Sequence, residues 1–402
     1  MAESASIVIA SHGPLSSNSG VHVLAVAREV AERGFPVTVV VPDGCEGDPG
    51  AEPPVDGIRI RGRERWLREP GRAPSLVHVW TPREGMREFH AGIEARFGGS
   101  VPYLVHLEDN EEILLRSQTG LSPVACRELR DGHRSFDVPP HLTHPGLGLR
   151  FLQRASGVTA LISSLLRDVP AGVPTVTFWP GHDPAFRIRR PDAAGSVRRR
   201  LGIPEGTLVV TYTGNVHAAN VAEVRSLYLA VALANRMGLP VRLLRTGRDF
   251  VPLAEHGLDE LRVHAIELGV LPRGELPGLV QAADLLVQPG RRDEWNSFRV
   301  PSKLPEYLAS GRPVVLPRVN LGEELEHGWN AIVLEEATAE AILAALLEWA
   351  PRRERLSAIG AEGATFAARH LSWSVAGESV VGLYRRILAG RPVGGPVRGI
   401  SP

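Results

Sequence analysis

Cysteine is almost absent: Cys45 and Cys126 are the only two in 402 residues. Two thiols are too few for a disulfide framework or a cysteine-based zinc site, and they fit a reducing cytoplasm. An excess of either charge is also missing, because Lys plus Arg and Asp plus Glu both number 45. No global basic field therefore points to nucleic acid or to a strongly anionic membrane. No apolar run is long enough to span a bilayer. The start, Met1-Ala2-Glu3-Ser4-Ala5-Ser6, lacks the basic flank and long apolar core of a signal peptide. Peripheral membrane contact stays open. The histidines and acids show no close metal-ligand spacing, so no tightly bound catalytic metal is expected. A nucleophile elbow, a Walker loop and a full dinucleotide glycine fingerprint are missing too.

What is present is a twofold alternation of strands and helices. The strand Ile7-Val8-Ile9-Ala10 runs into a loop from His12-Gly13-Pro14 to Ser19-Gly20. A helix from about Val21 to Arg33, closed by Gly34, and the strand Val37–Val41 follow. Strand, Gly-rich loop, helix and strand form the right-handed unit of a parallel sheet, with the loop at its ligand-binding edge. Further strands are expected at Gly57–Ile60, Leu76–Trp80, Tyr103–His106 and Gly157–Ala160. The segment from Glu111 to Leu149, rich in His, Arg and Pro, reads as irregular: a lid, an acceptor surface or a plain long insertion.

A linker is expected from Trp179-Pro180-Gly181-His182-Asp183-Pro184 to Arg189-Arg190-Pro191, followed by a polar helix-like stretch to Arg200. The alternation then restarts. Strands are expected at Leu208–Tyr212, Val241–Leu244, Val263–Ile266 and Asp284–Pro289, and helices at Val221–Met237 and near Leu276–Ala283. The last helices are placed at about 339–349, 353–368 and 373–388, and 391–402 as a disordered tail. This length and pattern predict an α/β protein of two doubly wound, Rossmann-like parallel-sheet domains facing across a cleft. The expected bounds are 1–183 with a returning helix at about 373–390, and 184–372.

The most informative stretch runs from Pro301-Ser302-Lys303-Leu304-Pro305-Glu306-Tyr307 through Gly311 to Val315. Pro305 lacks an amide hydrogen and belongs in a helix's first turn, which makes Ser302 the natural cap and leaves N–H groups near Lys303 for phosphate. Gly311 can end the helix in a left-handed conformation before the strand Pro313–Leu316. Lys303 and Glu306 share a face, one suited to neutralising phosphate and the other to accepting hydrogen bonds from ribose hydroxyls.

With the preceding run Ala283-Asp284-Leu285-Leu286-Val287-Gln288-Pro289, this stretch resembles the retaining glycosyltransferases of family four, which have the GT-B fold. Pro180-Gly181-His182-Asp183-Pro184-Ala185-Phe186 is similar to that family's interdomain link, and Thr213-Gly214-Asn215 to the opening of its second domain. The resemblance implies a sugar donor domain at the C-terminus and an acceptor domain at the N-terminus. It implies that Glu306 binds ribose, that the backbone at Gly20 approaches the diphosphate, that His106 lies near the donor sugar, and that Leu271 and Pro272 contact the base. It departs from the family in two places. Phe298 stands where a companion glutamate is common, with Glu294 as a conceivable substitute. Asn215 and Asn220 stand where an arginine and a lysine usually hold the diphosphate.

Charge must then come from Lys303, Arg248, Arg291, Arg292 or Arg299. The expected catalytic set is Lys303, His106 and Arg248. The expected donor-binding set is Gly20, Gly214, Asn215, Leu271, Pro301, Ser302, Lys303, Leu304 and Glu306. His22, Glu108 and Asp109 are candidates for the acceptor, although exposed loop acids are ordinarily only exposed. His12 is weaker still, and Arg127, Arg130, His133 and Arg134 could meet an anionic acceptor or remain a solvated face. The implied reaction is retaining, metal-independent transfer of a hexosyl group from a UDP- or GDP-linked donor to a hydroxyl of a glycan, lipid-linked or small-molecule acceptor. A nucleotide-sugar epimerase or hydrolase of the same fold, or a non-catalytic nucleotide-sugar-binding protein, are the alternatives. No tightly bound cofactor is expected, and the sequence does not speak to oligomeric state.

Overall fold

The computed structural model describes residues 5–47, 57–98, 101–188, 191–251 and 259–390. Arg189 and Arg190 of the expected linker and the tail 391–402 lie outside the described residues. The chain divides into two units, Met1–Pro180 with Trp373–Pro402, and Gly181–Ser372.

The first unit holds seven strands: β1 Ile7–Ala10, β2 Val37–Val41, β3 Ile58–Gly62, β4 Leu76–Trp80, β5 Tyr103–Leu107, β6 Gly157–Ala160 and β7 Thr175–Thr177. Their order is β3-β2-β1-β4-β5-β6-β7, and every pairing is parallel. Strands β1, β4 and β5 are buried on both faces, which is why they read as near-continuous apolar runs. Consecutive strands of this order wind outward from β1 in both directions, so the crevice at the carboxyl ends of β1 and β4 is a topological switch point.

The helix Asn18–Glu32 begins three residues earlier than the sequence suggested, because Ser17 caps it by accepting the Gly20 N–H at 3.0 Å. Gly20 is therefore inside the first helical turn, not in the preceding loop. A side chain there would collide with the backbone of Pro14 and Leu15. The helix Trp373–Leu388 belongs to this unit and packs on Asn18–Glu32. Gly377 lies against Glu29, and Arg33 donates to the Ser374 carbonyl at 2.9 Å.

The segment read as irregular is helical. Helices span Glu111–Thr119, Pro123–Asp131 and Pro145–Arg154, capped by Asn110, Ser122 and His144. The first two close on the left-handed glycines Gly120 and Gly132. Leu115, Cys126, Val138 and Leu142 form a small core beneath this segment.

The second unit holds six strands: β8 Leu208–Thr213, β9 Val241–Thr246, β10 Ala265–Glu267, β11 Leu285–Val287, β12 Val314–Pro317 and β13 Ile332–Leu334. The order β10-β9-β8-β11-β12-β13 repeats the pattern of the first unit, again all parallel, with its switch point between β8 and β11. The strand expected at Val263–Ile266 is shorter and later, since Asp259–His264 form a 3-10 turn ahead of β10. A core including Val210, Tyr212, Leu227, Val287, Ile332 and Leu346 fills one face of this sheet. Each fully buried aliphatic side chain of this kind contributes about 1.5–3 kcal/mol.

The helix Lys303–Ala309 is seated by two contacts. Tyr307 is fully buried, and its hydroxyl accepts the Thr213 N–H at 2.6 Å. Gly360, on the helix Arg353–His370, lies directly against the Gly311 carbonyl. Gly311 has φ +72°, as expected for the helix end. Ser302 stands at the cap position but in helical conformation, and its side chain accepts no capping hydrogen bond, contrary to the sequence expectation. Among the described residues no helix is long and apolar enough to cross a membrane.

Gly360→Val should push the helix Lys303–Ala309 off its seat and cost about 1–3 kcal/mol through overpacking. Calorimetry should then show the melting transition lowered by several degrees; an unchanged transition would contradict this packing account.

Candidate functional site

In the second unit, the carboxyl ends of β8 and β11 gather the residues with the clearest chemistry. Lys303 starts its helix so that Nζ lies 3.3 Å from both Tyr212 Oη and Gln288 Oε1, and 4.4 Å above the centre of the Tyr212 ring. Both hydrogen-bond partners are neutral, so neither cancels the ammonium charge. Gly214, immediately after β8, makes this approach possible: with φ +154°, a Cβ there would come within 2.8 Å of Lys303 Nζ. Gly247, at φ +127° after β9, abuts the Gly214 carbonyl, and the Gly214 N–H donates to Thr246 at 2.8 Å. Glycine at both positions lets two strand ends and a lysine share one small space.

Asn215 and Asn220 turn out to brace this loop. Asn215 Oδ1 accepts the Arg248 N–H at 2.8 Å, Asn220 Oδ1 accepts the His217 N–H at 2.9 Å, and Asn220 Nδ2 donates to the Asn215 carbonyl at 3.0 Å. The Arg248 side chain is exposed, its guanidinium 5.8 Å from the Phe250 ring. His217 is held below its usual pKa by burial, then by the charges of Arg299 and Lys303, so these three groups share one electropositive locale. Arg292 is committed to Glu323 at 3.0 Å.

Phe298 closes the short 3-10 turn Asn296–Phe298. The carboxylate near this loop comes from elsewhere in the chain. Glu223, on the helix Val221–Arg236, accepts from Asn296 Nδ2 at 2.5 Å and lies 3.4 Å from Arg299 Nη2. Burial raises its pKa against these partners. Glu306 is ion-paired with Arg273, whose guanidinium lies 3.7 Å from Asp183 and 5.4 Å from the Phe186 ring. Burial raises the Glu306 pKa, opposed chiefly by Arg273. Leu304 is buried in the core, Leu271 packs against the cluster of Val209, Leu244 and Leu279, Pro301 is half-buried and Ser302 is exposed. Sequence reasoning missed Tyr212, Gln288, His217 and Glu223. Tyr212 and Gln288 were findable, as polar groups at the carboxyl ends of otherwise apolar strands.

In the first unit, the carboxyl ends of β1, β4 and β5 hold a second set. Glu108, just after β5, is buried; it takes a hydrogen bond from Ser19 Oγ and lies 2.7 Å from His22 Nδ1 and 3.9 Å from His106 Nε2. Burial alone would raise its pKa, but His22, His106 and Ser19 together hold it well below the usual carboxylate range. The structure thus joins His22, Glu108 and His106. Glu108 is a buried partner of histidine and not an exposed loop acid.

His106 itself is wholly enclosed within this unit. Nδ1 lies 2.7 Å from Thr159 Oγ1, the ring lies 3.9 Å from that of Trp80, and Nε2 has no hydrogen-bond partner. Burial pushes its pKa down to about 3. Gly20 lends its N–H to Ser17, so that group is already satisfied. Asp109 lies 3.7 Å from Arg83. Among the described residues no group of three or more His, Cys, Asp or Glu could hold a metal ion.

Against known proteins, one match falls within the second unit. Residues 207–350 match the family model described as Glycosyl transferases group 1. D-inositol 3-phosphate glycosyltransferase of Stackebrandtia nassauensis is 27% identical over 407 residues, covering 93% of this chain and 87% of that protein. The protein of the same name from Thermobispora bispora is 28% identical over 216 residues. That match spans 50% of this chain and 49% of the relative, about half of each. Among solved structures, Anabaena Alr3699/HepE in complex with UDP and glucose superposes with a TM-score of 0.66 at 15% identity, covering 95% of this chain and 99% of that one. The two Rossmann-like sheets are those of the GT-B fold.

The buried histidines give the first unit a pH signature. His78, His106 and His12 are all held below 6.5 chiefly by burial, His12 to about 4. Unfolding frees them to take protons below about pH 6.5, so stability falls as pH drops through that value toward 4. The depressed Glu108 adds a further loss below about 4.5, where the unfolded carboxyl protonates and the folded one does not. Urea unfolding followed by tryptophan fluorescence should show the midpoint falling between pH 6.5 and 4; a flat profile there would contradict neutral burial.

Proposed function

We propose that this protein transfers a hexosyl group from a nucleotide-diphosphate sugar to an acceptor hydroxyl, with retention at the anomeric carbon and without a metal ion. The observation that carries the reading is Lys303 at the switch point of the second sheet, held by two neutral oxygens beside the bare backbone of Gly214. Sheets of this kind take ligands at that edge. Departure of a nucleoside diphosphate develops negative charge, and a preorganised ammonium stabilises it more in the transition state than in the ground state. His217 and Arg299 lie in the same electropositive locale and are suited to the remaining phosphate oxygens. The sugar becomes oxocarbenium-like as the bond breaks.

Glu306 is the ribose-binding group in this reading, and Arg273 then yields to the ribose hydroxyls or shares the carboxylate with them. The match of residues 207–350 to glycosyl transferases supports the donor assignment, and UDP in the Anabaena protein makes UDP the first nucleotide to test. The first unit takes the acceptor, and the enclosed His106, set among Thr159, Trp80 and Phe178, is a packing residue there and has no contact with substrate. The free thiols Cys45 and Cys126 fit a cytoplasmic enzyme.

Lys303→Ala should lower turnover of the nucleotide sugar about a hundredfold, the usual loss on removing one charge-stabilising donor. Near-normal turnover in a donor-hydrolysis and transfer assay would overturn the assignment. Addition of a chelator should leave the wild-type rate within about twofold, because the charge is met by side chains and backbone donors; a strict divalent requirement would overturn the metal-free part.

A further inference from the structure

The loops after β1, β4 and β5 carry a second polar cluster, centred on Arg83, that the donor chemistry does not use. Arg83 Nη1 lies 2.7 Å from His12 Nε2, and Arg83 Nε lies 3.1 Å from Glu111 Oε2. A guanidinium can only donate, so His12 Nε2 accepts and the ring proton sits on Nδ1. That Nδ1 is buried and has no hydrogen-bond partner. Glu111 is divided in the same way. Its Oε2 takes Arg83 and the Thr143 hydroxyl at 2.7 Å, while its Oε1 is buried and unpartnered. One free donor and one free acceptor therefore flank a single guanidinium.

Thr81, two residues before Arg83, adds an independent mark. It is fully buried, its hydroxyl is unpartnered, and its backbone sits at φ +78°. A β-branched residue in that region is strained, and such strain concentrates at ligand sites.

We infer that this cluster binds a hydroxyl of an uncharged polyol or sugar acceptor and discriminates against a phosphorylated one; the inference rests on the transferase reading for the word acceptor. A hydroxyl can give its proton to Glu111 Oε1 and take one from His12 Nδ1. A phosphate group seated there offers acceptors to a carboxylate, and a phosphorylated polyol seated through another hydroxyl brings its phosphate charge beside the carboxylates of Glu111 and Asp109, so either placement meets repulsion. Arg83 does not reverse this, because Glu111 and, at 3.7 Å, Asp109 already face it. Arg63, the other cation acting on His12, has the carboxylates of Asp43 and Glu88 in its own field. This separates the chain from relatives named for an inositol 3-phosphate acceptor.

The test is saturation-transfer NMR on the full chain saturated with UDP, with polyols and monosaccharides each paired with its own phosphate, including myo-inositol and inositol 3-phosphate. The neutral member should bind at least about tenfold tighter, as expected for removing one uncompensated like-charge contact in a partly buried site. Glu111→Gln should narrow that ratio to within about threefold, and the more exposed Asp109→Asn should narrow it in the same direction should the first variant fold poorly. Equal or tighter binding of the phosphates, no binding of any pair, or a ratio unchanged in both variants would overturn the inference. Failure of the transferase reading shows separately, as absence of product from the donor while the binding ratio stands.

Discussion

The second unit depends on the approach of Lys303 to the end of β8. A lysine with neutral partners cannot sit against a strand end unless that end has no side chain, and Gly214 meets this requirement. Gly247 then has to leave room for the Gly214 carbonyl, and Asn215 and Asn220 hold the loop that follows. Tyr307 pins the helix bearing Lys303 to Thr213 at the end of the same strand. The cation, the glycines and the asparagines are thus one packing solution, in which the amides maintain the loop's shape and the charge is left to Lys303 and Arg299.

The first unit solves a different problem, which is how to keep histidines in an apolar sheet. His78 spans from Tyr384 at 2.7 Å to Thr159 at 2.9 Å, and Thr159 also meets His106. A chain of neutral hydrogen-bonding groups costs far less to bury than a charge. It also ties the helix Trp373–Leu388, through Tyr384, to β4. Glu108 stays ionised beside them because His22 and Ser19 both serve it.

Much of the architecture is legible in the sequence because parallel strands buried on both faces leave apolar runs such as Val37–Val41 and Leu285–Val287 between turn residues. The three-residue strands β7 and β13 are too short to announce themselves by period. The segment from Glu111 onward hid its helices because they are nine, nine and ten residues long and polar on one face. Their caps, Asn110, Ser122 and His144, were the readable signal. At the site, Lys303 and Glu306 could be singled out by their loop and helix context, whereas Glu223 could not. Its relation to Asn296 is made by tertiary packing across 73 residues of chain, which no local pattern encodes.

The equal totals of acidic and basic residues conceal a local division of labour. Within the second unit, Lys303 and Arg299 form a cationic edge beside a neutral His217, and Glu223, which pairs with Arg299, is buried with its pKa raised and its oxygens occupied. Within the first unit, Glu108, Asp109 and Glu111 outnumber Arg83, and His12 is neutral. On the proposed reading, electrostatics of opposite sense suit two substrates of opposite demand: a diphosphate needs fixed positive charge, and a hydroxyl about to act as nucleophile is better served by neutral donors and carboxylate acceptors. On the proposed reading, a carboxylate-rich edge in the first unit also disfavours capture of the anionic donor there. Like-charge contact is the cheapest means a protein has of rejecting a ligand it could otherwise enclose.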